Sequence, residues 1–360
     1  MFSSNRLSLA RRRRRLTGKA LAELVGVTAV TISRLESGSN EPEPATLTAL
    51  ARVLGFAEEF FSEDDVEELP LDAASFRSLT AMSAKERDAA LAAGSFAYLL
   101  VDWVDARFNL PSADLVDLSH ERDAELAAVA LRQRWGLGEQ PISNMIRLLE
   151  SKGVRVLSLS ENTKNVDAFS CWRDGVPYVF LNTFKSAEHS RFDAAHELGH
   201  LVLHKHGGPQ QRQAEAEANA FASSFLMPSA DIKSRVRFVT GLNDLIAAKK
   251  RWGVSVAALT YRLHKLGIIK DWQNRNLCIQ MSKRGYRTNE PSPMDREESV
   301  VWKKVFEELW SEKVTKAQVA RELRLPPDEI ENLVFGLVSA PNPPPALAAE
   351  KGKANLRIVS

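Results

Sequence analysis

Apolar residues recur at helical spacing through the first third of the chain, switch to alternation near position 154, and return to helical spacing from about position 188. From about Asn5 to Phe61, short apolar-periodic segments are broken at Gly18, Gly26, Gly38 and Pro42-Glu43-Pro44, which predicts a compact all-helical unit. The acidic stretch Glu63-Asp64-Asp65-Val66-Glu67-Glu68 then reads as a linker. Ser83-Ala84-Lys85-Glu86 has the spacing of a capping box and predicts a long helix running towards Phe108, with another from Glu121 to Trp135. Val154 to Leu159, Val166 to Trp172 and Val176 to Leu181 read as short strands of a small sheet. Helices follow from Glu188 to His206 and from Arg212 to Leu226, where Pro228 stops the pattern. Two more cover Leu242 to Trp252 and Val256 to Leu266. Thr315 to Leu323, then Leu325-Pro326-Pro327-Asp328 and a further helix, have the outline of a second helix-turn-helix. No basic run accompanies it, so an ordinary helical hairpin is the plainer reading. The expected fold class is α+β, mainly α.

Composition narrows the setting. The 360 residues are 44% hydrophobic and 26% charged, with no apolar run near the ~20 residues of a membrane span. The N-terminus is polar and basic rather than that of a secretory signal, and two cysteines, Cys171 and Cys278, are too few for a disulfide framework. A cytoplasmic protein is expected, with both thiols as small core residues. Net charge is only +2, but Arg11 to Arg15 are consecutive, so positive charge is concentrated at one end.

The chemistry is concentrated in His196-Glu197-Leu198-Gly199-His200. At 3.6 residues per turn, His196 and His200 share a helix face, so both imidazoles can point at one ion with Glu197 beside them. A catalytic zinc takes three protein ligands and keeps one position open. The next helix offers Glu215 and Glu217. Glu215, with Asn219 one turn later, borders the apolar stripe Ala214, Ala218, Phe221, Ala222 and Phe225, whereas Glu217 shares its side with Gln213 and Ser224. Glu215 is therefore the expected third ligand and Glu217 the alternative. Tyr178, Tyr261 and His204 are candidates for stabilising an oxyanion, though each also reads as a packed residue. His120, His189, His206 and His264 have no ligand-like spacing.

This region resembles the ImmA/IrrE metallopeptidases over roughly residues 150 to 270. The resemblance runs through Val179-Phe180-Leu181-Asn182, Arg191-Phe192, Ala195 to Leu201, His204, Glu215 to Ala222, and Leu226-Met227-Pro228. It implies a zincin-like fold, His196, His200 and Glu215 as Zn2+ ligands, and Glu197 as the catalytic base. Asn219 stands where the family has Asp or Asn, which implies a partner for a ligand histidine. Zinc would polarise the scissile carbonyl and acidify its bound water, with Glu197 carrying the proton to the leaving amine.

In the first sixty residues, Lys19 to Thr28 reads as a helix, a Gly-containing turn and the start of a second helix that continues to Glu36. This part resembles the lambda-repressor/Cro-like (XRE) helix-turn-helix family through Leu21-Ala22, Gly26-Val27, Ile32 to Gly38, Pro44, Thr46-Leu47, Leu50-Ala51 and Leu54-Gly55. The resemblance implies double-stranded operator DNA as a partner, with Thr28, Ala29, Val30, Ser33 and Arg34 facing the groove. Arg11, Arg12 and the rest of the arginine run, with Lys19, would reach phosphates. Gly18 stands where the family usually has Gln, which removes one expected DNA contact. A homodimer is expected on a two-fold site.

The expected organisation is a helix-turn-helix domain over 1–62, a linker over 63–82, a peptidase domain over 83–290 with its core at about 150–270, a helical region over 291–340, and a disordered tail over 341–360. The resemblances together imply a DNA-binding zinc endopeptidase that cleaves a repressor or antitoxin in a stress response. The alternative is a non-proteolytic transcriptional regulator or antitoxin that uses the peptidase-like domain as a sensor or interaction module.

Overall fold

The computed structural model describes residues 1–70, 83–159, 168–206, 211–286 and 288–338. Among these are sixteen α-helices and one three-stranded sheet, so the fold is α+β and mainly α. No helix of the described residues is long and apolar enough to cross a membrane. The chain divides into two compact units, Met1–Leu110 with Leu157–Val166 and Val300–Ser360, and Pro111–Val156 with Asp167–Ser299.

The first unit begins with helices α1 (Ser4–Arg13), α2 (Gly18–Val25), α3 (Ala29–Glu36) and α4 (Pro44–Leu54), then a 3-10 turn over Glu58–Ser62. Thr17 and Thr28 cap α2 and α3 by accepting from backbone N–H groups three residues on, satisfying donors that have no partner inside the helix. Gly26 ends α2 with φ 84°, a left-handed conformation that a side chain disfavours, so the turn into α3 needs this glycine. Leu7, Leu21, Ile32, Leu35 and Leu50 form the buried centre. The described part of the acidic stretch is laid along α1 rather than free. Ser3 Oγ donates to Asp65, Arg12 pairs with Glu68 at 2.6 Å, and Val66 and Leu69 are buried. Basic α1 attracts the acidic segment, whose composition alone predicts a linker.

Helix α5 (Ala84–Asp105) starts at the expected capping box, with Ser83 and Glu86 each accepting the other's backbone N–H. It groups with this unit, although the sequence reading places residue 83 at the start of the peptidase domain. Phe96 of α5 meets Phe56 and Phe60 at centroid distances of 5.8 and 6.0 Å. After position 299 the chain contributes α14 (Val300–Ser311), α15 (Lys316–Glu322) and α16 (Pro327–Val334) to the same unit. Trp103 Nε1 and Arg107 donate to Glu322, while Arg13 Nε and Arg14 Nη1 each reach a different oxygen of Glu329 at 2.7 Å. The α15–α16 pair has the outline of a second helix-turn-helix, but its second helix carries Asp328, Glu329 and Glu331.

The second unit holds α6 (Ala124–Arg134), α7 (Met145–Ser151), most of the sheet, and α8 (Ala187–Leu203) to α13. Strands β1 (Arg155–Ser158), β2 (Phe169–Arg173) and β3 (Val176–Leu181) lie in the order β1-β3-β2. β2 and β3 are antiparallel from Phe169↔Phe180 to Arg173↔Val176. Asp174 and Gly175, both at positive φ, close them in the two-residue turn whose twist suits a hairpin. Helix α8 is followed by α9 (Gln211–Leu226), α10 (Ser229–Arg235), α11 (Leu242–Lys249), α12 (Val256–Lys265) and α13 (Asp271–Lys283).

Several boundaries differ from expectation. α6 starts after its Asp123 cap rather than at Glu121, and α8 ends at Leu203 rather than His206. Helices α7, α10 and α13 have no counterpart in the sequence expectation, while α14 falls within the helical region expected over 291–340. α13 buries only Leu277 and Met281, too few to mark a helical period. Cys171 is buried as expected, but Cys278 is exposed on α13, since that helix has little core to enter. Val166, residues 71–82 of the expected linker and the expected tail over 341–360 lie outside the described residues.

Candidate metal centre and nucleic-acid surface

Helix α8 is fixed by buried charge before it reaches the motif. Lys249 reaches Glu188 at 2.8 Å and Glu290 at 3.0 Å, and all three are nearly inaccessible. Arg191 donates to Glu297, to the Ile142 carbonyl and to the Trp252 carbonyl. Buried ions persist only when paired, so these contacts hold the helix in one position. Next to α8, strand β2 is tied by Trp172 Nε1, which donates to the Leu201 carbonyl at 3.2 Å.

One turn apart on α8, His196 and His200 bring their Nε2 atoms to 3.1 Å. Glu215 of α9 places Oε2 3.4 Å from His196 Nε2 and Oε1 3.5 Å from His200 Nε2. The three donor atoms lie within 4.8 Å of one another, the one such group among the described residues. Ligands held about 2.0–2.1 Å from a tetrahedral ion stand roughly 3.3 Å apart, so the spacing of this trio fits a zinc-sized ion. Glu215 can approach because Gly199 lies where the helices meet. A Cβ there would stand 3.1 Å from Phe221 and 3.2 Å from the Ala218 Cα. The glycine inside the motif thus sets the distance between α8 and α9.

Electrostatics follow the geometry. Burial alone would raise Glu215, but the hydrogen bonds and charges of His196 and His200 outweigh it and hold the carboxyl well below its ordinary range. Burial opposes protonation of His196, yet Glu215, Glu197 and Asp193 together raise its pKa. The site is therefore shaped for positive charge.

Several polar atoms around the trio have identified partners. His196 Nδ1 faces Asn219 Oδ1 at 3.2 Å. Glu197 is buried, and its Oε2 accepts from Ser170 Oγ of β2 at 2.7 Å. His204 stands on the Nδ1 side of His200 at 2.9 Å, and its Nε2 lies 3.0 Å from Glu217. Ser170 has no signal in the sequence, since it lies 27 positions from Glu197 with no motif around it. Glu217, the alternative third ligand by spacing, instead meets His204. Of the other oxyanion candidates, Tyr178 is buried in β3 against Phe180 and Tyr261 is exposed on α12 under Lys265. Three further histidines meet local carboxylates: His189 with Asp193, His206 with Asp117 and His264 with Asp271.

On the first unit, Thr28, Ala29, Val30, Ser33 and Arg34 of α3 are all exposed. Lys19 is exposed too, its charge shared loosely with Glu23 at 3.9 Å. The arginine run is engaged within the chain. Arg11 makes a two-point pair with Glu36 and donates to the Leu16 carbonyl, while Arg12 holds Glu68 and the Ser8 carbonyl. The phosphate role expected of Arg11 and Arg12 requires these pairs to open.

Comparison with known proteins adds two findings. Residues 149–264 match the peptidase family model described as the IrrE N-terminal-like domain, which contains all of α8 and α9. Residues 4–61 match a helix-turn-helix domain model. No curated protein matches the chain.

Proposed function

We propose that this chain, which joins a helix-turn-helix domain to an IrrE N-terminal-like peptidase domain, is a cytoplasmic zinc endopeptidase that binds operator DNA and cleaves a repressor or antitoxin. One observation carries the reading: His196, His200 and Glu215 converge at tetrahedral ligand spacing beside a buried, positioned Glu197. A purely structural zinc would have no use for that carboxylate.

His196, His200 and Glu215 would hold the ion, which when bound supplies carbonyl polarisation and acidified water. Glu197 Oε1 and Oε2 are the proton-carrying atoms: the carboxylate takes a proton from the attacking water and returns it to the leaving amine. Ser170 donates to one of those oxygens and so holds the carboxylate in place. Asn219 orients His196 and thereby its Nε2. The exposed face of α3 reads base edges, and Lys19 meets phosphate, with a homodimer spanning a two-fold operator.

The test is to replace the gene with its Glu197→Gln form and compare newly formed protein N-termini across the proteome with wild type under stress. Cleavage sites found only in wild type, within a DNA-binding repressor or its partner, are the expected result. No difference, with normal expression and bound zinc, would leave a regulator that does not cleave.

A further inference from the structure

The two ligand histidines are supported unequally. Each turns Nε2 towards the other and towards Glu215, and each turns Nδ1 outward to a protein group. For His196 that group is a neutral amide oxygen. For His200 it is a second imidazole, His204, whose far nitrogen ends on the Glu217 carboxylate. Gln213 Nε2 donates to the other oxygen of that carboxylate at 2.9 Å. His204 is the C-terminal cap residue of α8, its backbone N–H bonded to the His200 carbonyl, and its side chain is 8% exposed.

We infer that His204 and Glu217 are positioning residues for His200, forming a three-residue chain that fixes the tautomer presenting Nε2 to the metal. The inference rests on the zinc reading above. The protons allow one arrangement for a metal on His200 Nε2. His200 Nδ1–H then donates to His204 Nδ1, so His204 carries its proton on Nε2 and donates it to Glu217. Every nitrogen and the carboxylate are then satisfied without a charged histidine. A carboxylate at the end of such a chain makes the ligand nitrogen a better donor, and loss of outer partners of this kind lowers metal affinity by about 10–100-fold. The chain also gives the two glutamates of α9 distinct tasks two positions apart, Glu215 as ligand and Glu217 as anchor of the outer shell.

The full-length protein is titrated with zinc against a competing chelator, with Glu215→Gln as a control and the thermal midpoint of each metal-free form recorded. Wild type is expected to bind one zinc that Glu215→Gln binds far more weakly. His204→Leu should bind about 10–100-fold more weakly than wild type. Glu217→Ala should follow in the same direction, and His204→Asn, which restores an acceptor near the Nδ1 position, should recover much of the loss. A purely structural role would lower the metal-free midpoint and leave zinc affinity unchanged. If His204→Leu does not fold, Glu217→Ala carries the test, because Glu217 is only partly buried. Zinc affinity in Glu217→Ala and in folded His204→Leu within about twofold of wild type would overturn the inference while leaving the zinc reading intact. No zinc binding by wild type would overturn both.

Discussion

The α8–α9 pair and the α2–α3 pair are each two helices in close contact, yet they treat polar side chains in opposite ways. Between α8 and α9, His200, Glu197 and Glu215 are buried, and polar atoms of each meet His196, one another, Ser170 or His204. At α3, the cap Thr28 and the helix residues Ser33 and Arg34 face outward. A buried polar group must keep its partner, so a change at one position propagates to the others. An exposed one is answered by water until a ligand arrives, so its effect is local. The first arrangement suits bond chemistry in a fixed geometry, and the second suits reading a surface.

The strongest test of that separation is Glu197→Gln. Cleavage measured as initial rates on the identified substrate should fall about 10²–10⁴-fold, with DNA affinity unchanged in a mobility-shift titration. A parallel loss of DNA affinity would mean the regions are not independent. Coupling within the site is tested next. Asn219→Ala placed on top of Glu215→Gln should add little further loss of zinc affinity, whereas Ser33→Ala and Arg34→Ala should add their separate effects on DNA affinity. Additive losses in the metal centre would break the contrast.

Arg34→Ala alone should weaken operator binding by about 1–3 kcal/mol, relaxing discrimination at one base position and leaving zinc content as it was. Gly199→Ala presses a methyl group against Phe221 and Ala218 and should lower stability by about 1–3 kcal/mol, read as a lower Tm. An unchanged Tm would show that α8 and α9 can separate freely. The smallest effect distinguishes free from engaged cations. Lys19→Ala should reduce the slope of log affinity against log salt by about one, whereas Arg11→Ala, already paired with Glu36, should leave that slope unaltered.

The same contrast explains what could be read in the sequence. His196 and His200 announce themselves because a helix repeats every 3.6 residues, and Glu215 because it borders an apolar stripe that must be buried. Thr17, Thr28 and Gly26 mark the ends of α2 and α3 by local chemistry alone. Ser170 bears no such mark: it approaches Glu197 only because the β2–β3 hairpin packs on α8. Glu217 shows the limit of the stripe argument, which asks whether a side chain points into the core and not whether a neighbouring imidazole reaches out to meet it. The engagement of Arg11 and Arg12 was equally hidden, since charge runs read as solvated until the fold supplies Glu36 and Glu68. Glu322 and Glu329 meet Trp103 and Arg13 across more than two hundred positions, a separation at which no pattern in the chain speaks.

The Glu329 carboxylate, 1% exposed between Arg13 and Arg14, acts as a counterion written into the chain. A phosphate backbone gains from a protein cation largely by shedding the small ions condensed around it, and a cation already neutralised offers no such release. If the head binds DNA as proposed, the segment after position 299 would temper its adhesion to arbitrary sequences. A head cut free of that segment would lose the single negative charge that Arg13 and Arg14 share, and so carry one more uncompensated positive charge. It would cling to nucleic acid of any sequence more tightly at low salt, gaining adhesion without gaining discrimination.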